Sequence, residues 1–186
     1  DLPEGHYEYV IQSMSSCAYD NLAKHIAQRD GYNSDGVHDC IADGIQVCRR
    51  TGKLECISCF REYATDVYVA SDDLEMAHHH AMAVMQNEIK DDEEDSDRRW
   101  VGAKDLVSIS LLQGQLEAAM THCERSFELA KSYHSPRVAN IESSSYLKQT
   151  LLLLGRYDEY DEFLDRFNVA KDLGSDIPKG QYPSGE

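Results

Sequence analysis

The sequence predicts an all-α protein: a right-handed superhelix (α-solenoid) of four antiparallel helical hairpins. Three observations lead there. A turn recurs four times, marked by Gly31, Asp72, Gly114 and Gly155, and the intervals between these markers are 41, 42 and 41 residues. A period in that range signals stacked helical hairpins, since a lone hairpin leaves one apolar face uncovered and the next copy buries it. Between the turns, apolar residues recur at steps of three and four, the helical spacing. No segment shows sustained period-two alternation between turn dipeptides, so no strand is predicted.

The elements follow in order. Helix one, about 5–28, carries Tyr7, Val10, Ile11, Met14, Ala18, Leu22 and His25 on one stripe. Ser34 is read as the N-cap of helix two, with Asp35 in the first turn where a negative charge meets the helix dipole. Its apolar face is Val37, Cys40, Ile41, Ile45 and Cys48, with Gly44 among them, and Gly52 follows as a C-cap. Helix three spans about 53–70 through Leu54, Ile57, Phe60, Ala64, Val67 and Tyr68. Helix four begins after a cap at Ser71 or Asp72 and uses Leu74, Ala77, Ala81, Val84, Met85 and Ile89.

The run from Lys90 to Asp97 is almost wholly acidic. It reads as a solvated loop whose last members cap the next helix. Helix five, about 98–113, uses Trp100, Ala103, Leu106, Val107 and Leu111. Helix six, 116–133, uses Leu116, Ala119, Met120, Cys123, Phe127 and Ala130. Ser135-Pro136 is a start signal for helix seven, which runs to Leu154. Helix eight, 157 to about 173, uses Tyr157, Tyr160, Phe163, Leu164 and Phe167 and stops at Gly174. The hairpins are therefore about 5–51, 53–90, 98–133 and 136–173 in a single domain. Residues 175–186 form a flexible tail or linker. The segment from Gly174 holds two Pro and three Gly, and with the start at Asp1 it suggests a piece excised from a longer protein.

The turn plus the start of the second helix resembles a tetratricopeptide-type repeat. The residues that carry the resemblance are Asp72-Asp73-Leu74-Glu75-Met76-Ala77, Gly114-Gln115-Leu116-Glu117-Ala118-Ala119 and Gly155-Arg156-Tyr157-Asp158-Glu159-Tyr160. Ala77 and Ala119 fit the family's small packing position, whereas Gly36 and Tyr160 depart from it. The family's first-helix Trp and Leu-Gly are largely missing, with the Leu met by Leu106 and Leu147 and the Gly never; its terminal Pro is absent. The period is longer than the family's, which suits longer helices. Long-helix arrays of this sort resemble the sensory or regulatory halves of bacterial signalling proteins. The resemblance implies a non-enzymatic module that binds a protein or peptide in the concave face lined by the first helix of each hairpin. The positions matching the family's groove are Asn21, His25, Glu62, Asp66, Lys104, Ser108, Glu142, Ser145 and Gln149.

Charge refines the partner. The chain has 186 residues with 18 basic and 34 acidic side chains, a formal charge of −16. That balance argues against nucleic acid and against an anionic membrane surface, and a mainly acidic groove favours a basic peptide or helix. No apolar run approaches the roughly 20 residues of a membrane helix. The six cysteines, Cys17, Cys40, Cys48, Cys56, Cys59 and Cys123, lie within helical patterns and read as free thiols in a reducing, cytoplasmic setting.

Chemistry-bearing motifs are sparse. Cys56-Ile57-Ser58-Cys59 is a single C-x-x-C; its plain reading is two small residues packed in a helix interface. Its sharper reading joins His78 in a metal- or redox-sensing site. In His78-His79-His80 successive side chains point about 100° apart, which places His78 on the apolar face, His79 in solvent and His80 beside the core. Ser143-Ser144-Ser145 reads as a close helix approach. No phosphate loop, nucleophile elbow or zinc-protease motif occurs, and neither catalysis nor a cofactor is predicted. A homodimer through the last hairpin would use Tyr157, Tyr160 and Phe163.

Overall fold

The computed structural model describes residues 18–86 and 96–170. The expectations for residues 5–17, Ile89, the acidic run up to Asp95, the end of helix eight and the tail lie outside them. The described residues are all-helical, and neighbouring helices pack in sequence order as in a solenoid. In chain order they are α1 (18–30), α2 (Asp35–Thr51), α3 (Leu54–Ala70), α4 (Leu74–Gln86), α5 (Ser96–Leu112), α6 (Leu116–Ala130), α7 (Pro136–Leu154), a 3-10 turn (Tyr157–Glu159) and α8 (Tyr160–Phe167).

The four markers of the repeat share one backbone state. Gly31, Gly114 and Gly155 have φ of 88°, 70° and 70°, and Asp72 has φ of 62°. Each lies in the left-handed region, where a Cβ is penalised and glycine is not. The second turn alone uses a residue with a side chain. Asp72→Gly is therefore expected to stabilise the protein by about 0.5–1 kcal/mol, read as a rise in the midpoint of urea unfolding; a lowered midpoint would contradict it.

Helix starts differ in detail from the sequence reading. Ser34 and Ser135 occupy N-cap positions, but neither hydroxyl makes a cap bond. Helix α4 is capped by Asp73 rather than by Ser71 or Asp72: its Oδ1 accepts the Met76 N–H at 3.1 Å. Ser71 instead closes α3, its hydroxyl donating to the Val67 carbonyl at 2.9 Å. Helix α8 is shorter than predicted, opening with the 3-10 turn and ending at Asn168, which has φ of 58°.

The core is a relay of small clusters. Ala23, Ala27, Val37, Ile41, Ala64 and Val67 join α1, α2 and α3. Ala77, Ala81, Leu106 and Ile109 join α4 to α5. Trp100, Ala103, Leu129, Ala130 and Ala139 join α5, α6 and α7, and Phe127, Leu147, Leu151, Phe163 and Leu164 close the far end. Burying each of the larger side chains, Val, Leu, Ile or Phe, contributes about 1.5–3 kcal/mol, so cohesion is spread along the array. Two glycines set the helix spacing. A Cβ on Gly44 would lie 2.4 Å from the Phe60 ring, and one on Gly102 would lie 2.6 Å from the Met85 backbone nitrogen.

The helices fall into two rows, α1, α3, α5, α7 and α2, α4, α6, α8. Within the first row α3 contacts α5 and α5 contacts α7 directly; among the described helices the second row has no contact of that extent between α2 and α4 or α4 and α6. The first row is the more closely spaced and so forms the inner side of the curve. Candidate binding residues sit there.

Candidate functional site

Charged residues from three successive first-row helices meet on that inner side. Glu62 and Asp66 are one turn apart on α3, Lys104, Asp105 and Ser108 lie on α5, and Glu142 lies on α7. Lys104 Nζ is 3.4 Å from Glu142 Oε2 and 5.2 Å from the centre of the Trp100 ring. Trp100 is buried and donates its indole N–H to Ser143 Oγ at 3.2 Å, which fixes the ring beneath the lysine. Ser143 thus allows the close approach of α5 and α7 that the serine run suggested. On the other side Arg98 Nη1 is 3.7 Å from Glu62 Oε1. The result is a trough stitched across α3, α5 and α7 by two ion pairs.

Among the described residues, the carboxylates Glu62, Asp66, Asp105 and Glu142 gather beside the cations Arg98 and Lys104. Burial and crowding show in their acidity. Asp105 is half-buried, and its pKa is pushed up to about 7: burial is the main cause, Lys104 pulls it back, and Asp66, Glu62 and Glu142 raise it further. Asp66 is also held above the ordinary carboxylate range by burial, against the pull of Lys104. Burial works against the charge of Lys104, yet Asp105, Glu142 and Tyr146 outweigh it and its pKa is raised. Asp105 therefore shares its proton with solvent near neutrality, and an incoming cation would drive that proton off.

The predicted groove residues divide into two sets. Glu62, Asp66, Lys104 and Glu142 come together in this cluster, with Ser108 one turn along α5 from Lys104 and partly exposed. Asn21 and His25 are exposed on α1, and Ser145 and Gln149 are exposed on the face of α7 that continues from Glu142. The helix α1 lies beside α3, where Lys24 Nζ is 5.4 Å from the centre of the Tyr63 ring. The key residue absent from the predicted set is Asp105. Its signal was available in sequence, as an acid one position from Lys104 on a first-row helix.

The histidine run differs from expectation in which member is buried. The buried member is His80, 7 % exposed, which stacks on Tyr68 at 5.4 Å; His78 is only partly buried and faces His122 at 6.4 Å. Helix α4 buries Ala77, Ala81 and Val84 as the stripe predicted, and the histidine that joins them is His80, at i+3 from Ala77, rather than His78. His80 Nδ1 has no hydrogen-bond partner, and burial, with Arg61 and His79, lowers its pKa to about 4. The described residues bring together no group of three or more His, Cys, Asp or Glu side chains fit to hold a metal.

The cysteines also separate. Cys40, Cys48 and Cys123 are buried; burial takes the Cys123 thiol up to about 12 despite its contact with Thr150. Cys56 is partly buried and Cys59 is exposed, so the second thiol of the C-x-x-C is not packed into an interface.

Away from the trough, α6, the 3-10 turn and α8 enclose a cleft of about 310 Å³. Its lining carries four acids and two bases, with Arg166 2.8 Å from Glu124 and Arg156 2.7 Å from Glu159. In the last hairpin Phe163 is buried and Tyr160 stacks on Tyr157, which is the exposed member of the three. No described helix is long and apolar enough to cross a membrane. No family model matches the chain, and neither the curated proteins nor the solved structures yield a match.

Proposed function

We propose that this all-α repeat array is a non-enzymatic interaction module whose inner trough takes a basic peptide or helix of a protein partner, as the regulatory or sensory part of a signalling protein. One observation carries the reading: carboxylates from α3 and α7 converge on Asp105 of α5 and add to the rise in its pKa that burial causes. A lysine or arginine side chain entering between Glu62, Asp66 and Asp105 would meet three carboxylates at once. The flanking exposed residues Ser145 and Gln149 would offer hydrogen bonds along the same face. Charge of this kind sets specificity and speeds encounter more than it sets raw affinity. The α6–α8 cleft is the weaker candidate: there Arg156 holds Glu159 below the ordinary carboxylate range, whereas Asp66 and Asp105 are held above it.

The test uses a labelled lysine-rich helical peptide and fluorescence anisotropy. The Glu62→Ala, Asp66→Ala, Glu142→Ala triple variant is expected to bind at least roughly tenfold more weakly, about 1.4 kcal/mol. A control makes the same change of charge on exposed second-row positions, with Asp43→Ala, Glu75→Ala and Glu128→Ala. It should bind nearly as the wild type does. Equal losses in both variants would reduce the attraction to net charge and dismiss the trough.

A further inference from the structure

We propose that Cys56 and Cys59 form a redox dithiol at the rim of the trough, which a hydroperoxide converts to an intrahelical disulfide with Arg98 as its positioning residue. The inference does not depend on peptide binding. Three observations support it. Cys59 is exposed on the α3 face that continues to Glu62 and Asp66, so a small oxidant reaches it. Arg98, from the next first-row helix, donates Nη1–H to Cys59 Sγ at 2.9 Å and lies 3.7 Å from Glu62. Cys56 follows three residues earlier, close enough to act as the resolving thiol.

Geometry permits the bond. Residues i and i+3 of a helix have Cα atoms about 5 Å apart, within the roughly 4.4–6.8 Å that disulfides span. Forming it draws the two Cβ atoms together, which requires the local helix to yield. Cys56 is the third residue of α3, and its N–H bonds the Lys53 carbonyl at 3.1 Å, so no i to i−4 bond of its own is lost. Its side chain packs against the small cluster of Cys48, Ile57 and Phe60, which keeps it on the side of Cys59 nearest the helix start.

The chemistry balances. Cys59 loses its proton to solvent, and the sulfur attacks one oxygen of the hydroperoxide. The O–O bond breaks and the other oxygen departs as an alcohol after taking up a proton, leaving Cys59 as a sulfenic acid. Arg98 holds N–H donors where negative charge develops on that leaving oxygen. Cys56 then loses its proton, its sulfur attacks Cys59 Sγ, and the S–O bond breaks to release hydroxide, protonated to water. Two thiols lose two electrons, and the peroxide is reduced to one alcohol and one water.

The experiment treats the reduced full chain with hydrogen peroxide in a Cys17→Ser background and follows it by intact mass and by mapping the tryptic peptide 54–61. The expected product is about 2 Da lighter, with Cys56 joined to Cys59. With Cys56→Ser, oxidation should stop at a sulfenic acid on Cys59 that a dimedone-type nucleophile traps. With Cys59→Ser, Cys56 should stay reduced over the same time. Arg98→Gln should slow the first step roughly threefold to tenfold, and Arg98→Lys, which keeps a charged donor, should restore part of the rate. Circular dichroism confirms that each variant is folded, and Cys59→Ala stands in if Cys59→Ser is not. Oxidation of Cys56 and Cys59 no faster than that of buried Cys40 and Cys48, or disulfides only to other cysteines, would overturn the dithiol. An unchanged rate with Arg98→Gln would overturn the role of the arginine.

Discussion

Replacing Gly102 with alanine is expected to lower the melting temperature by roughly 5–10 °C. On an exposed helix the same change stabilises by about 1 kcal/mol, because alanine is the better helix former. Here packing reverses the sign. The added Cβ would lie 2.6 Å from the Met85 backbone nitrogen, 2.8 Å from the Ala81 carbonyl oxygen and 3.0 Å from the Met85 Cα. Backbone atoms cannot rotate away, so α5 must withdraw from α4. That loosens the contacts of Ala77 and Ala81 with Leu106 and Ile109. Overpacking of this kind costs about 1–3 kcal/mol, more when backbone must move. We expect a net loss of about 2–3 kcal/mol. Cohesion passes from cluster to cluster, so a weakened α4–α5 joint should also broaden the thermal transition as the two halves uncouple. Scanning calorimetry reads both effects. A melting temperature equal to or above the wild type would mean that the close approach of the two helices is wrong.

Asp105→Asn is expected to stabilise the protein above neutral pH and to do little near pH 4. The sign follows from linkage. The folded-state pKa of Asp105, about 7, lies above its ordinary value of 3.8. Folding therefore favours the protonated acid, and that stability is complete below about pH 4 and lost as pH rises through 7. Asparagine keeps the neutral form at every pH. Its advantage should grow across that window to at most about 4 kcal/mol, less where solvent along the open trough screens the charge. His80 acts in the opposite direction. Its pKa is lowered to about 4, so its stability is present above its ordinary 6.5 and lost as pH falls toward 4. The two slopes oppose each other in the wild type, and single variants separate them. His80→Phe should leave stability falling as pH rises from 4 to 7, whereas Asp105→Asn should leave it rising from pH 4 to 6.5. Urea midpoints measured between pH 4 and 8 check this; a gain from Asp105→Asn that is the same at every pH would remove the carboxylate cluster as its cause.

The architecture was largely legible because its signals are local. Left-handed turn residues select glycine or a short acid, so Gly31, Asp72, Gly114 and Gly155 announced the repeat. Stripes such as Val37, Cys40, Ile41 and Cys48 announced the buried faces. Misreadings arose where several neighbours share one helix. Because α3 and α5 both cover α4, its buried arc is wide, and among three adjacent histidines periodicity alone did not show that His80 lies inside. Helix α8 looked longer because Asn168, which ends it in a left-handed conformation, is a weaker stop signal than glycine. In the trough, Glu62, Asp66, Lys104 and Glu142 were foreseen from their places on first-row helices. Asp105 was not, because its raised pKa arises from burial, reinforced by acids on α3 and α7 more than 35 positions away in sequence. The contact of Arg98 with Cys59 spans 39 positions and was hidden for the same reason.

The most direct test of the trough is a nuclear magnetic resonance titration of isotope-labelled protein with the lysine-rich helical peptide. The amide shifts should concentrate on α3, α5 and α7 around Glu62, Asp66, Asp105, Ser108 and Glu142, and should shrink as salt is raised. Shifts centred instead on α2, α4 and α6, or on the α6–α8 cleft at Glu124 and Arg166, would contradict the account, as would a spectrum that the peptide leaves unchanged.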